Sequence, residues 1–142
     1  MLTRVSTLAA VVIVMFAGLA APARTRLTPL ASGTVSPRGN VPHVIFSTLL
    51  GGAAGNFDGA SDVAADADGN AIVVGTTESA DFPTRNALQD SLEGSSDAFV
   101  AKFSPDGALL FSTFLGGNES DSAAAVAVDP TGAIYVAGTT SS

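Results

Sequence analysis

Seven residues occur twice in this chain with a single change, as FSTLLGG at 46–52 and FSTFLGG at 111–117. A second block follows each copy: Val63 to Ser79 set over Val126 to Ser142 matches at nine of seventeen positions. The offset is 65 residues for the first block and 63 for the second. The two-residue difference therefore falls between them, in AAGNFDGASD against NESDSAAA, where a surface loop tolerates an insertion. Recurrence at such a period is the mark of a fold built by stacking one supersecondary unit. A β-sandwich also places strands every 8 to 12 residues or so, but it has no reason to repeat at this longer spacing.

Turn signals divide one period into four short runs of β-formers: SDVAAD (61–66), AIVVGTT (71–77), DAFVAKF (97–103) and ALLFSTFL (108–115). The connections ADGN at 67–70, SPDG at 104–107 and DPTG at 129–132 place glycine late and, in the last two, proline early, which is tight-turn chemistry. Hairpin connections require antiparallel neighbours. Long runs of Leu, Lys, Glu and Gln that would favour helix are missing, so the chain is expected to be all-β. Alternation puts Phe99, Ala101 and Phe103 on one side of the third run, and Leu109, Phe111, Thr113 and Leu115 on one side of the fourth. Val100, Leu110 and Phe114 sit opposite, so both faces are apolar and the sheet must lie between neighbours. The first run carries small residues, Ala64 and Ala65, and in the repeat Ala125 and Ala127 with Val126 and Val128, which suits strands crowded about an axis. One unit alone buries too few large apolar side chains to offset the entropy of ordering its backbone. These features point to a β-propeller of four-stranded antiparallel blades.

The succession FSTFLGG, an acidic or glycine-containing loop, AVAVDPTGAIYVAGTT, a DFPT segment and DAFVAKFSPDG resembles the SBBP repeat, a β-propeller repeat of exported and surface proteins, mainly bacterial. The resemblance covers about residues 44–142 and speaks to fold, not to activity. It implies a multi-bladed propeller, commonly of seven blades, often joined to other extracellular modules. In similar propellers a blade runs from its innermost strand outward, which makes 61–66 innermost and 108–115 outermost. The repeat region, 43–142, then holds an outer closing strand at 44–52, a first full blade at 61–117 and the first half of the next at 123–142. The chain is expected to be an N-terminal fragment, about one and a half blades plus a ring-closing strand, with further blades in a longer protein.

Residues 1–23 read as a secretory signal peptide: MLTR gives a positive start, LAAVVIVMFAGLA (8–20) an apolar run and APA (21–23) a small-x-small site. As a helix the apolar run would span about 20 Å, short of the roughly 30 Å core of a bilayer. Cleavage is expected after Ala23, or else after Ala20, with no membrane insertion thereafter; an uncleaved anchor is the alternative. Residues 24–42, rich in Pro, Gly, Ser and Thr, read as a flexible lead-in. A secreted or cell-surface location follows. The absence of Cys removes disulfides, thiolate catalysis and Cys-ligated metals together. Against 6 Lys and Arg stand 13 Asp and Glu, a formal net charge of −7. Arg4 and Arg24 lie in or beside the leader, so the rest is more acidic still. Such a surface repels nucleic acid and anionic membrane, which leaves an extracellular protein, glycan or cation as partner.

The long loops, 51–60, 80–96 and 116–123, emerge on one side of the expected sheets. Asp58, Asp62, Glu78, Asp81, Asp90, Glu93, Asp97, Glu119 and Asp121 lie in or beside them, whereas Asp66, Asp68, Asp106 and Asp129 belong to the other side. An acidic binding face is expected. Asp58, Asp62, Glu119 and Asp121 are candidate calcium ligands, set against a merely solvated face. Asp66 and Asp68 before Gly69 resemble a calcium loop, but Ala64 and Gly75 stand where an EF-hand needs a third acidic ligand and a Glu, so turn chemistry is expected there. Within 80–96, Pro83 with Thr84 and the spacing of Leu88 and Leu92 suit a short helix, pinned by Phe82 and those leucines. His43 is the only histidine, in the Pro-flanked lead-in, and gives no support to a His-based catalytic site. Lys102 alternates away from Phe99 and Phe103 and reads as a snorkelling or turn-bonded lysine. No catalytic residue and no cofactor beyond the calcium option emerges. The expected function is a non-catalytic interaction or structural scaffold with an acidic loop face. The alternative is the N-terminal part of a propeller enzyme, a hydrolase or lyase of extracellular glycans, for which paired carboxylates are present at no favouring spacing.

Overall fold

The computed structural model describes residues 11–17, 43–52 and 56–142. The expected cleavage site and the whole of the lead-in, 24–42, lie outside the described residues. Eight strands follow in chain order: β1 (Val11–Ala17), β2 (His43–Leu50), β3 (Asp58–Ala65), β4 (Ala71–Thr77), β5 (Asp97–Phe103), β6 (Leu109–Leu115), β7 (Asp121–Val128) and β8 (Ile134–Thr140). They form three antiparallel sheets, β1 with β2, β3 through β6 in chain order, and β7 with β8. The all-β expectation holds, and the described residues include no helix. β1 falls inside the apolar run read as a signal and pairs along β2 from Val11↔Leu50 to Ala17↔His43.

The three expected turns close the three hairpins. Gly69, Gly107 and Gly132 each donate their amide to the carbonyl three residues back, at 3.0, 2.9 and 3.0 Å, and each has a positive φ, between 80° and 90°. Asp66 shows why the first needs no metal: its carboxylate accepts from the Asp68 and Asn70 amides, the Asn70 side chain and Lys102 Nζ at 2.8 Å. Lys102 is thus the turn-bonded lysine expected.

The repeat reappears in the pairing itself. Asp58↔Thr77 through Ala65↔Ala71 in one hairpin corresponds to Asp121↔Thr140 through Val128↔Ile134 in the other, with a bulge at the same place, Ser61 and Ala124. Opposite each bulge stands a glycine with no room for a side chain. A Cβ would lie 2.0 Å from the Gly59 carbonyl oxygen at Gly75, and 2.0 Å from that of Ser122 at Gly138. The bulge also corrects the expected start of this strand: β3 begins at Asp58, not at 61, because Asp58 to Ala60 resume pairing beyond Ser61.

Both faces of the four-stranded sheet are covered, as expected for a sheet set between neighbours. On one lie Ala71, Val73, Phe99, Ala101, Phe103 and Phe114, packed by Leu50 and Phe46 of β2 and by Phe82. On the other lie Ile72, Val74, Ala98 and Val100 against Ala123, Val126, Val128, Ile134 and Val136 of the β7–β8 hairpin. β7 packs against β3, β4 and β5. The face assignment for the fourth run needs correction. Phe103 pairs with Leu109 and Lys102 with Phe111, which leaves Leu110 bulged out and 38% exposed. Leu109 therefore packs with Phe114, while Phe111 serves the opposite face.

The segment 80–96 is not helical. Arg85 exchanges backbone hydrogen bonds with Ser112 at 2.9 and 2.8 Å, the Phe114 amide donates to the Gln89 carbonyl, and the Thr113 hydroxyl is bonded to the Leu88 and Gln89 amides. The outer edge of β6 needs backbone partners, and an extended segment supplies them where a helix would keep its own. Phe82 does pin the segment, its ring 4.7 Å from that of Phe99 and 5.9 Å from that of Phe114. Leu92 packs at the edge of the same core, but Leu88 is 87% exposed.

Candidate functional site

Antiparallel order brings the starts of β3, β5 and β7 and the ends of β4, β6 and β8 to one end of the sheets, where the long loops and most of the carboxylates gather. Their chemistry differs from a uniformly solvated acidic face, because Asp58, Asp97 and Asp121 are buried and Asp62 is half-buried. Glu78, Asp81, Asp90, Glu93 and Glu119 form the exposed acidic part.

Asp58 begins β3 and is 6% exposed. Its Oδ2 accepts from the Gly52 amide at 2.9 Å and the Ser79 hydroxyl at 3.0 Å, and its Oδ1 accepts from the Thr77 hydroxyl. Thr77 Oγ1 in turn accepts from the Ser79 amide. Each partner recurs 63 to 65 residues on. Asp121 Oδ2 accepts from the Gly117 amide at 2.7 Å and the Ser142 hydroxyl at 3.2 Å, and Thr140 Oγ1 accepts from the Ser142 amide. These aspartates tie the LGG end of one unit to the start of the next hairpin. Thr140 stands close enough to draw the Asp121 carboxyl below its ordinary range, helped by the Gly117 amide and Ser142, yet it makes no hydrogen bond to Oδ1, which is left without a partner.

Asp62 accepts from the Val126 and Val63 amides, each at 2.9 Å, and both hold its carboxyl below the usual value. It links β3 to β7 across the sheets. Glu119 is exposed, and its backbone amide donates to Ser142 Oγ at 3.3 Å. The four candidate calcium ligands are thus dispersed: Asp58 and Asp121 in equivalent but separate networks, Asp62 between sheets and Glu119 in solvent. Among the described residues no three His, Asp or Glu side chains gather as for a metal ion. His43 opens β2.

Asp97, which the sequence placed on the acidic face but not among the candidate ligands, is the residue the structure sets apart. It opens β5 and is fully buried. Its Oδ2 accepts from Gln89 Nε2 at 2.6 Å and the Glu93 amide at 3.0 Å, while Oδ1 has no partner. Burial pushes its carboxyl up, the nearby Asp121 and Glu93 carboxylates add to the rise, and the Glu93 amide and Gln89 oppose it. The available signal was its position, the first residue of a strand buried along both faces. A cleft beside it, between the β5–β6 end and the second hairpin, is lined by Ala98, Leu115, Gly116, Asp121, Ala123, Val136 and Thr140. A second cleft is mostly apolar, with Val100, Phe111, Ile134 and Val136 in its walls.

No family model matches this chain, and no curated protein matches it.

Proposed function

We propose that this chain is an exported or cell-surface β-propeller repeat module of SBBP type, non-catalytic, acting as an interaction or structural scaffold whose acidic loop end meets an extracellular protein or glycan. One observation carries the reading: two successive units agree in register, in bulge and in the glycine and serine bonds to their aspartates, and the second lies across the face of the first. That is how identical sheets stack when each can bury its apolar face only against a neighbour. The second cleft supports it further. Val100 and Phe111 border open space beside Ile134 and Val136, on the side where the repeat would set partners for β8 equivalent to β5 and β6. The β8 edge is a site for strand addition, and in this reading the remaining strands of its own blade, in a longer chain, take it. Both carboxylate oxygens of buried Asp58 are taken up by structure, and the exposed Glu78, Asp90, Glu93 and Glu119 present carboxylates to a partner at the same end.

The reading is tested on the full reading frame and its product. Further repeats at the same spacing, small residues kept along the strands equivalent to β3 and β7, and a processed N terminus in the exported protein are the expected results. One or two units in which His, Arg, Tyr or Glu replace those small residues, together with hydrolysis or cleavage of a polysaccharide by the purified protein, would replace the scaffold with an enzyme.

A further inference from the structure

Three buried side-chain oxygens among the described residues have no hydrogen-bond partner: Asp97 Oδ1, Asp121 Oδ1 and Ser112 Oγ. The two carboxylates converge on one point. A Cβ on Gly116 would lie 2.6 Å from Asp97 Oδ1 and 2.7 Å from Asp121 Oδ2. Only glycine fits at 116, because both carboxylates close in on the place a side chain would take. The equivalent aspartate, Asp58, has its Oδ1 bonded by Thr77, so the shortage of donors belongs to the copy that faces Asp97.

Two buried carboxylates within electrostatic reach of each other, with the Glu93 carboxylate adding to the same field, are stabilised by a compensating positive charge, which a proton or a cation can bring. The described lysine cannot supply it, since Lys102 sits near the other end of β5 and is bonded to Asp66. Every unpartnered atom at this seam is oxygen, which suits a hard cation and neither zinc nor copper. We propose that Asp97 and Asp121 form a binding site for one divalent cation of the calcium class, at the seam where the second hairpin meets the four-stranded sheet, with water completing its shell. The adjoining cleft gives the ion its route from solvent. The site rests on this seam alone and not on the propeller reading: calcium binding by a chain that never joins a ring would keep this inference and end that one.

The probe is calcium chloride, titrated at neutral pH into the full-length chain stripped of metal with EDTA and dialysed, and followed by calorimetry and thermal melting. One ion per chain is expected, with a dissociation constant of about 10⁻⁴ to 10⁻³ M, the range of weak extracellular sites, and a melting temperature that climbs with calcium. Asp97→Asn should weaken binding about tenfold or more. Without calcium it should melt at or above the wild-type temperature, because the amide removes a charge and gives Asp121 a donor. Glu119→Gln should bind as wild type does. Neither heat nor a melting shift at about 10 mM calcium, or unchanged binding in Asp97→Asn, overturns the proposal. So does a wild-type chain that ignores calcium but gains stability on mild acidification, since a proton shared by the two carboxyls then does the work. Should Asp97→Asn not fold, the wild-type titration with Asp121→Asn as second variant decides between the same outcomes.

Discussion

Asp58→Ala tests whether this aspartate is a structural tie. The substitution removes the acceptor of three hydrogen bonds, from Gly52, Thr77 and Ser79. Thr77 and Ser79 are both 0% exposed, so neither hydroxyl reaches water when its acceptor is gone. A buried donor left unsatisfied costs about 1 to 3 kcal/mol. Two such hydroxyls and one part-buried amide give about 3 kcal/mol in total, allowing for hydroxyls that rotate to weaker partners. Asp58→Asn keeps one acceptor and should lose about half as much. The assay is urea unfolding followed by far-ultraviolet circular dichroism, in which the midpoint should fall with an unchanged slope. Asp121→Ala should cost less than Asp58→Ala, because Thr140 and Ser142 are exposed. A loss below about 1 kcal/mol for Asp58→Ala, within the range of ordinary surface substitutions, would refute the reasoning.

Phe99→Ala empties the centre of the core, where the ring is fully buried beside Phe82, and should cost about 3 to 5 kcal/mol by the same unfolding assay. Leu88→Ala, at a residue 87% exposed, should stay within about 0.5 kcal/mol of wild type. Gly75→Ala places a methyl 2.0 Å from the Gly59 carbonyl oxygen and should break the bulge, seen as loss of amide protection in β3 before β5. Acid should weaken the turns: Lys102 and Asn70 hold the Asp66 carboxyl well below its ordinary 3.8, and Thr131 with the Ala133 amide lowers that of Asp129 to about 2. Both contributions are complete above the unfolded value of 3.8 and are lost as pH falls through the folded values, whereas Asp97, raised by burial, contributes in the opposite sense, more at low pH. Urea midpoints measured from about pH 6 down to pH 2 should therefore drop less steeply in Lys102→Met than in wild type.

The strands and hairpins were readable because their signals are local. Glycine late in ADGN, SPDG and DPTG, and alternation along DAFVAKF, need nothing from elsewhere in the chain. The misread parts depend on distant partners. Leu109 changed sides because a bulge at Leu110 breaks the alternation, and a bulge is a property of the pair of strands rather than of one. Segment 80–96 has a helix-like opening, but the unpaired edge of β6, more than twenty residues on, claims its backbone. The carboxylates were the hardest. An aspartate beside a glycine-rich loop reads as solvated, and only the fold shows that Asp58 and Asp121 meet Thr and Ser hydroxyls, or that Asp97 turns inward. A faint trace was present: Asp58, Thr77 and Ser79 recur as Asp121, Thr140 and Ser142 at one common offset of 63.

The most direct test adds the rest of a unit. Because Ser142 corresponds to Ser79, a second copy of residues 80–117 joined after Ser142 continues the repeat in phase. Hydrogen exchange on β8 in the two chains reads the outcome. If stacked repeats hold this protein together, the β8 amides facing away from β7 should exchange at least about tenfold more slowly in the extended chain, and its melting temperature should rise. Unchanged exchange along β8, with the added residues unprotected, would contradict the account.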